Sequence, residues 1–162
     1  MCIRDSDEHL SNLIQSAREE WENDTETACC TKTYRLRISE VCDGMKLPHR
    51  PIQSVTSLVY YDSNNASQTL STSVWDFDTA RKQIRLKYNQ DWPTWTPRYD
   101  AWTITYVCGY SDDGALVPAI AKQAMLLLVG YYFDANRGEN DKANDKRAYE
   151  ALVNKFMRSS YP

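Results

Sequence analysis

The side chains best suited to acid–base or metal chemistry are few and far apart in the sequence. The two histidines are His9 and His49, and neither lies beside a nucleophile in a recognised motif. The triplet from Asp112 to Gly114 has the composition of a cation loop, but it lacks the other ligands of an EF-hand and is typical of a turn. The five glycines are scattered and form no phosphate-binding loop. The sequence therefore predicts no enzyme, no cofactor and no metal site.

The five cysteines stand at positions 2, 29, 30, 42 and 108, and no pair has the C-x-x-C spacing of a zinc or redox site. The adjacent Cys29 and Cys30 are poorly placed to bridge each other. We expect small, partly buried thiols in a reducing compartment.

Aromatic residues are concentrated between positions 91 and 102. Trp92, Trp95 and Trp102 could form a platform that stacks against sugar rings on an exposed β surface. This pattern leaves open the hypothesis of a carbohydrate-binding module, although the apolar helices predicted near the C-terminus argue against a simple all-β lectin.

The overall charge gives no support for strong nucleic-acid binding. The formal net charge is −3, whereas a phosphate backbone calls for concentrated Lys and Arg. The longest strongly apolar run, Ala124 to Phe133, is too short to cross a bilayer, and no secretory signal is recognisable. These features predict a soluble, intracellular protein with no membrane partner.

The elements that would position these residues follow from hydrophobic periodicity. The chain length suits one domain, which we predict over residues 7–162. Leu10, Leu13, Ile14, Ala17 and Trp21 form one stripe of a first helix over residues 7–28. Its acidic side is interpreted either as a solvated face or as a charged contact with a neighbouring subunit. That side carries Glu19, Glu20, Glu22, Asp24 and Glu26.

The middle of the chain, residues 32–110, changes to a period of two. Strands are predicted at residues 34–38, 55–61, 73–77, 83–88 and 101–108, with a hairpin turn from Asp62 to Asn65. A helical pair follows over residues 117–158. Pro118 opens an apolar helix to about Asn136, which should be buried on most sides, and Gly138 is the predicted C-cap. The fold class is thus α+β: a long N-terminal helix, an antiparallel β insertion, a buried helix and a C-terminal helix.

The first residues need separate treatment. Met1 to Asp5 resembles the translation of a sequencing adapter, and residues 1–6 are therefore interpreted as an artefact that replaces a lost N-terminal segment.

Five segments in this order resemble the head-tail connector family of tailed bacteriophages. They are the helix from Asp7 to Glu22, the segment Leu47 to Ile52, Trp92-Pro93, Tyr106 to Tyr110, and Val117 through Tyr132 to Arg137. The short helix that usually precedes the first long helix of this family is absent.

The resemblance implies a structural subunit of the virion, made in the host cytoplasm. Such subunits form a closed head-to-tail ring of about twelve copies beneath the portal. The ring extends the channel through which DNA passes without sequence-specific binding, and it docks a stopper or tail-completion protein.

Two sets of residues are candidates for these contacts. Because Trp, Tyr and Arg are enriched at interface centres, we expect contacts between neighbouring subunits at Trp92, Trp95, Arg98 and Tyr99. The same rings could instead cap the β region of their own subunit.

The last helix carries the candidate portal contacts Lys146, Arg147, Lys155 and Arg158. These residues could instead form a solvated helix face. Deleting residues 155–162 is expected to abolish attachment to portals while leaving the subunit folded.

Overall fold

The structure is a computed structural model, and it describes residues 3–133 and 138–160. The elements in chain order are α1 (Ile3–Thr25), β1 (Lys32–Ile38), β2 (Met45–Lys46), β3 (Ile52–Tyr61), β4 (Ser67–Thr69), β5 (Trp75–Asp78), β6 (Gln83–Leu86), β7 (Trp102–Cys108), α2 (Ala119–Phe133) and α3 (Glu139–Ser160). This order confirms the predicted α+β class.

The chain divides into two compact units. The helical unit holds α1, α2 and α3, and the β unit spans residues 30–112. That residues 7–162 act as one domain stays a prediction.

In the helical unit, each of the three helices contacts the other two. Ala17 and Trp21 on α1 are fully buried. The Trp21 ring packs against Phe156 at 5.1 Å and edge-on against Tyr149 at 6.4 Å, both on α3. Complete burial of such an indole contributes a few kcal/mol, about 3–5 by comparison with truncation of other core aromatics.

The first half of the predicted α1 stripe behaves differently from the second. Leu10 is 40% exposed and Ile14 is 54% exposed, although both lie on the same side of the helix as Trp21. Periodicity gives the direction in which a side chain points. It does not show where the neighbouring helices end.

Helix α2 begins where Pro118 allows it. The Pro118 carbonyl accepts hydrogen bonds from the amides of Ala121 and Lys122, at 3.0 and 3.1 Å, and the ring itself needs no amide partner. Burial of α2 is less complete than predicted. Leu126 remains 65% exposed and Phe133 59% exposed. The buried side consists of Ala121, Ala124 and Leu128.

The prediction that Gly138 caps the C-terminus of the preceding helix is wrong, because Gly138 lies at the start of the next helix. Its carbonyl accepts hydrogen bonds from the amides of Asp141 and Lys142, at 3.1 and 3.2 Å, and therefore lies at the start of α3. The predicted end of the preceding helix, at about Asn136, lies outside the described residues.

The β unit contains two antiparallel sheets. Four strands run in the order β1-β7-β3-β4, and three run in the order β2-β6-β5. All five predicted strands are present, and the predicted turn from Asp62 to Asn65 joins β3 to β4 in a hairpin. The two strands without a prediction, β2 and β4, have two and three residues, which is too short to show a period of two.

The register of the four-stranded sheet separates an apolar face from a polar one. Tyr34 pairs with Tyr106, and Leu36 pairs with Ile104, on the face that contributes to the core. Alternation along β7 is complete, because every second residue from Trp102 to Cys108 is buried.

Gly109 lies where two backbone segments approach too closely for a side chain. Gly109 has φ = 130°, and a Cβ placed on it would lie 2.3 Å from the carbonyl oxygen of Cys30. Beside it, Cys30 and Ser111 form a β-bridge. A side chain at position 109 would force these two chain segments apart.

Candidate interface surfaces

Three of the four predicted subunit-interface residues, Trp92, Trp95 and Arg98, line an open groove in the β unit, which we call the Trp groove. Its volume is about 610 Å³. The segment after β6 supplies most of the lining, and the segment after β1 supplies the rest. The lining residues are Ser39, Glu40, Trp92, Pro93, Thr94, Trp95, Pro97 and Arg98.

The two groove tryptophans are anchored on a third. Trp92 and Trp95 meet the Trp102 ring edge-on at 5.7 and 5.6 Å, and Tyr60 stacks on Trp102 at 5.0 Å. The ring nitrogens of Trp92 and Trp102 are buried and have no hydrogen-bond partner among the described residues. Ring packing, rather than hydrogen bonding, therefore fixes this cluster.

This geometry contradicts the three-tryptophan platform for sugars. Trp102 is fully buried, and the planes of Trp92 and Trp95 are inclined to it by 82° and 72°. A sugar ring could not lie across all three. Trp92 and Trp95 pack against their own β unit, as the alternative interpretation proposed. The surface that they leave uncovered lines the groove.

Arg98 is held within its own β unit by three contacts. It donates a hydrogen bond from Nε to Asp100 and another from Nη1 to Asn65 at 3.1 Å. Its guanidinium carbon lies 4.2 Å from the centre of the Tyr61 ring. These contacts fix the guanidinium at the groove rim. The neighbouring Tyr99 is 84% exposed and free to contact another molecule.

The candidate portal contacts lie on the solvent side of α3. Lys146, Arg147, Lys155 and Arg158 are all exposed. Arg147, Lys155 and Arg158 share one side of the helix because they are spaced by eight and three residues. The four cations are thus accessible to a partner, and their contact with the portal stays a prediction.

Deletion of residues 155–162 would not leave the subunit intact, contrary to the sequence-based expectation. Phe156 is only 6% exposed and packs against Trp21. Removing it would open the core of the helical unit. Charge reversal at Lys155 and Arg158 changes two of the three cations in the basic stripe and leaves Phe156 in place.

The acidic side of α1 is largely bonded within the helical unit. Glu20 accepts a hydrogen bond from the Tyr132 hydroxyl, and Asp24 accepts one from the Tyr149 hydroxyl at 2.7 Å. Glu22 accepts one from the Cys29 amide at 2.8 Å. The sequence offered a solvated face or an intersubunit contact, and neither interpretation included these internal acceptors.

These contacts raise the pKa values of two tyrosines. Burial, followed by the hydrogen bond to Glu20, raises the pKa of Tyr132 to about 12. Burial and the hydrogen bond to Asp24 raise the pKa of Tyr149 further. Both phenols therefore act as neutral donors to carboxylates over the whole physiological range.

The two histidines, which were considered for acid–base chemistry, pack against aromatic rings. The His49 ring stacks on Tyr34 at 4.4 Å, and the His9 ring lies 6.4 Å from Phe133. Within residues 3–133 and 138–160, no cluster of His, Cys, Asp or Glu could hold a metal ion. None of the cysteines in the described ranges forms a disulfide. No helix in the described ranges is both long and apolar enough to span a membrane.

Comparison with known proteins identifies the fold. No family model and no curated protein matches this sequence. A chain in the neck of a native gene transfer agent (GTA) particle, computed with C12 symmetry, has 21% identity and a TM-score of 0.64, and the match covers 80% of this chain and 72% of that one.

Two further structures agree. A chain in the neck of the empty GTA particle, computed with C6 symmetry, has 22% identity over 82% of this chain and 70% of that one, with a TM-score of 0.65. A chain in the virion of the native GTA particle has 19% identity over 92% and 76%, with a TM-score of 0.68. At such identities the likeness is one of fold, and the fold of this chain is that of these neck and virion components.

Proposed function

We propose that this chain is a structural head-tail connector subunit that forms a ring of about twelve copies beneath a phage portal. The observation that carries this proposal is the fold likeness to neck chains, one of them in a particle neck computed with C12 symmetry. The ring would extend the DNA channel and dock a stopper or tail-completion protein.

A closed ring needs two different surfaces on each copy, because its interface is heterologous. The Trp groove suits one of them. It combines half-buried tryptophans with an immobilised guanidinium, which is the composition of interface centres. Because Trp102 and Asp100 already fix its rings and its arginine, little side-chain freedom would be lost on contact.

The basic stripe of α3 suits the portal contact. Its cations are exposed, and such residues steer association and fix register when the partner surface is acidic. The contact would be sensitive to salt, because exposed charges are screened over roughly 8–10 Å at moderate ionic strength.

Co-sedimentation with portal-bearing heads tests this function. We expect the unaltered chain to pellet with the heads, and the double variant Lys155→Glu/Arg158→Glu to remain in the supernatant. The matched control Lys46→Glu/Lys82→Glu reverses two exposed lysines of the β unit and should pellet normally. Unaltered chain that stays in the supernatant would contradict the proposal, and equal pelleting of both variants would remove α3 from the portal contact.

A further inference from the structure

On the polar face of the four-stranded sheet, strand pairing aligns cationic and hydroxyl side chains in rows. Arg35 on β1 lies opposite Thr105 on β7, and Thr105 lies opposite Ser57 on β3. In the next row, Arg37 lies opposite Thr103. We call these five residues the basic sheet face.

This face is cationic although the whole chain is acidic. The strands β1, β3, β4 and β7 contain no aspartate or glutamate, whereas β1 carries Lys32, Arg35 and Arg37. Arg35 and Arg37 are exposed and form no ion pair with any residue in the described ranges.

The three-stranded sheet shows the contrast. Its Arg85 lies 3.4 Å from Asp78, and the adjoining Arg81 lies 3.8 Å from the same carboxylate. These arginines are compensated within the chain, whereas those of the basic sheet face are available to an outside anion.

The spacing suits a repeating anion. Residues two apart on a strand are separated by about 6.6 Å along it, and neighbouring strands by about 4.8 Å. Arginine and threonine side chains are common ligands of DNA phosphates, which carry no sequence information. A sheet face with short hydroxyl side chains beside the arginines can touch a phosphate backbone without entering a groove.

We propose that the basic sheet face contacts the sugar-phosphate backbone of duplex DNA without reading its sequence. This inference deepens the proposed connector function, since it assigns this face to the DNA channel. Two free arginines per copy give weak binding by one subunit. Repetition around a ring adds contacts without fixing the DNA at one position.

Charged residues on an edge strand also prevent edge-to-edge pairing, and β1 is an edge strand of its sheet. That role predicts no interaction with DNA. The two explanations therefore differ in a direct measurement.

The experiment is an NMR titration of the full chain with short duplexes of two unrelated sequences at low salt. We expect the amide signals of residues 33–37 and 103–105 to shift, equally for both duplexes. In Arg35→Gln/Arg37→Gln the slope of log K against log salt should fall by about 1.8, corresponding to two lost phosphate contacts. The matched control Arg81→Gln/Arg85→Gln removes the same charge from the three-stranded sheet and should retain the full slope.

Three results would overturn the inference: no shifts with the unaltered chain, equal slopes for the two double variants, or equally strong shifts at the same residues with polyglutamate. The last would assign the face to an acidic protein. Failure here is distinguishable from failure of the connector function, because co-sedimentation with heads requires no DNA contact by this face.

Discussion

Tyr149 of α3 donates a hydrogen bond to Asp24 of α1, with 2.7 Å between the phenol oxygen and Oδ2. The same ring packs edge-on against the fully buried Trp21. One side chain thus joins the core of the helical unit to the acidic side of α1.

The substitution Tyr149→Phe keeps the packing and removes only this hydrogen bond. Because the acceptor is a carboxylate near solvent, we expect a loss of about 1–2 kcal/mol in the free energy of unfolding. Urea denaturation measures it. The control Tyr131→Phe removes a phenol without a hydrogen bond to any described residue and should change stability by less than about 0.5 kcal/mol. Equal effects of the two substitutions would show that the Asp24 contact adds nothing.

Stability should fall at alkaline pH because of Tyr132. Its folded-state pKa of about 12 lies above the ordinary value of 10.0, so the folded protein holds the phenol proton more tightly than the unfolded chain does. The resulting stabilisation is complete below about pH 10 and is lost as the pH rises through about 12. Burial also raises the pKa of Tyr106, which contributes in the same direction.

The variant Tyr132→Phe should show a smaller decrease in unfolding free energy between pH 10 and 12 than the unaltered chain. Denaturation at a series of pH values measures this decrease. Tyr88→Phe is the control, because Tyr88 is 99% exposed, and its profile should match that of the unaltered chain. A Tyr132→Phe profile identical to both would contradict the assignment.

Gly109 should tolerate no side chain. Gly109→Ala places a Cβ against the Cys30 carbonyl at a φ of 130°, and we expect it to cost at least about 2 kcal/mol. Gly138→Ala is the matched control, since the nearest atom to its Cβ would be 3.9 Å away. Thermal unfolding compares them, and equal midpoints would refute the close approach.

The Trp groove should be sensitive to an added charge. Thr94 lines the groove and is exposed, so Thr94→Arg leaves the tryptophan cluster intact while filling the space with a cation. We expect the variant to fold normally and to lose ring formation on heads, as judged by negative-stain images. Thr72→Arg makes the same change at an exposed site of the same unit and should form rings. Normal rings with Thr94→Arg would exclude the groove from the interface.

The outcome for individual elements shows what periodicity can and cannot predict. Residues 102–108 alternate strictly between the core and the polar face, and the sequence predicted this strand because a half-buried strand imposes a period of two. For α1 the period of 3.6 was equally clear, yet Leu10 and Ile14 are exposed. Their burial would require a neighbouring helix at that point, which local sequence does not specify.

The candidate sites follow the same division. The aromatic composition of residues 92–102 drew attention to the segment that lines the Trp groove, and its role as a subunit interface stays a prediction. The full burial of Trp102 also involves the Tyr60 ring, which comes from a strand elsewhere in the sequence. The basic sheet face was not predicted. Its arginines and threonines become neighbours only through the antiparallel register of β1 and β7, although the alternation of Arg35 and Arg37 with apolar residues was a visible signal.

The most direct test of the central claim is cryo-electron microscopy of portal-bearing heads incubated with this chain. The proposal predicts a closed ring of about twelve copies below the portal, with each copy fitting the helical and β units described above. Heads that carry no added density, with the chain left monomeric in solution, would contradict it.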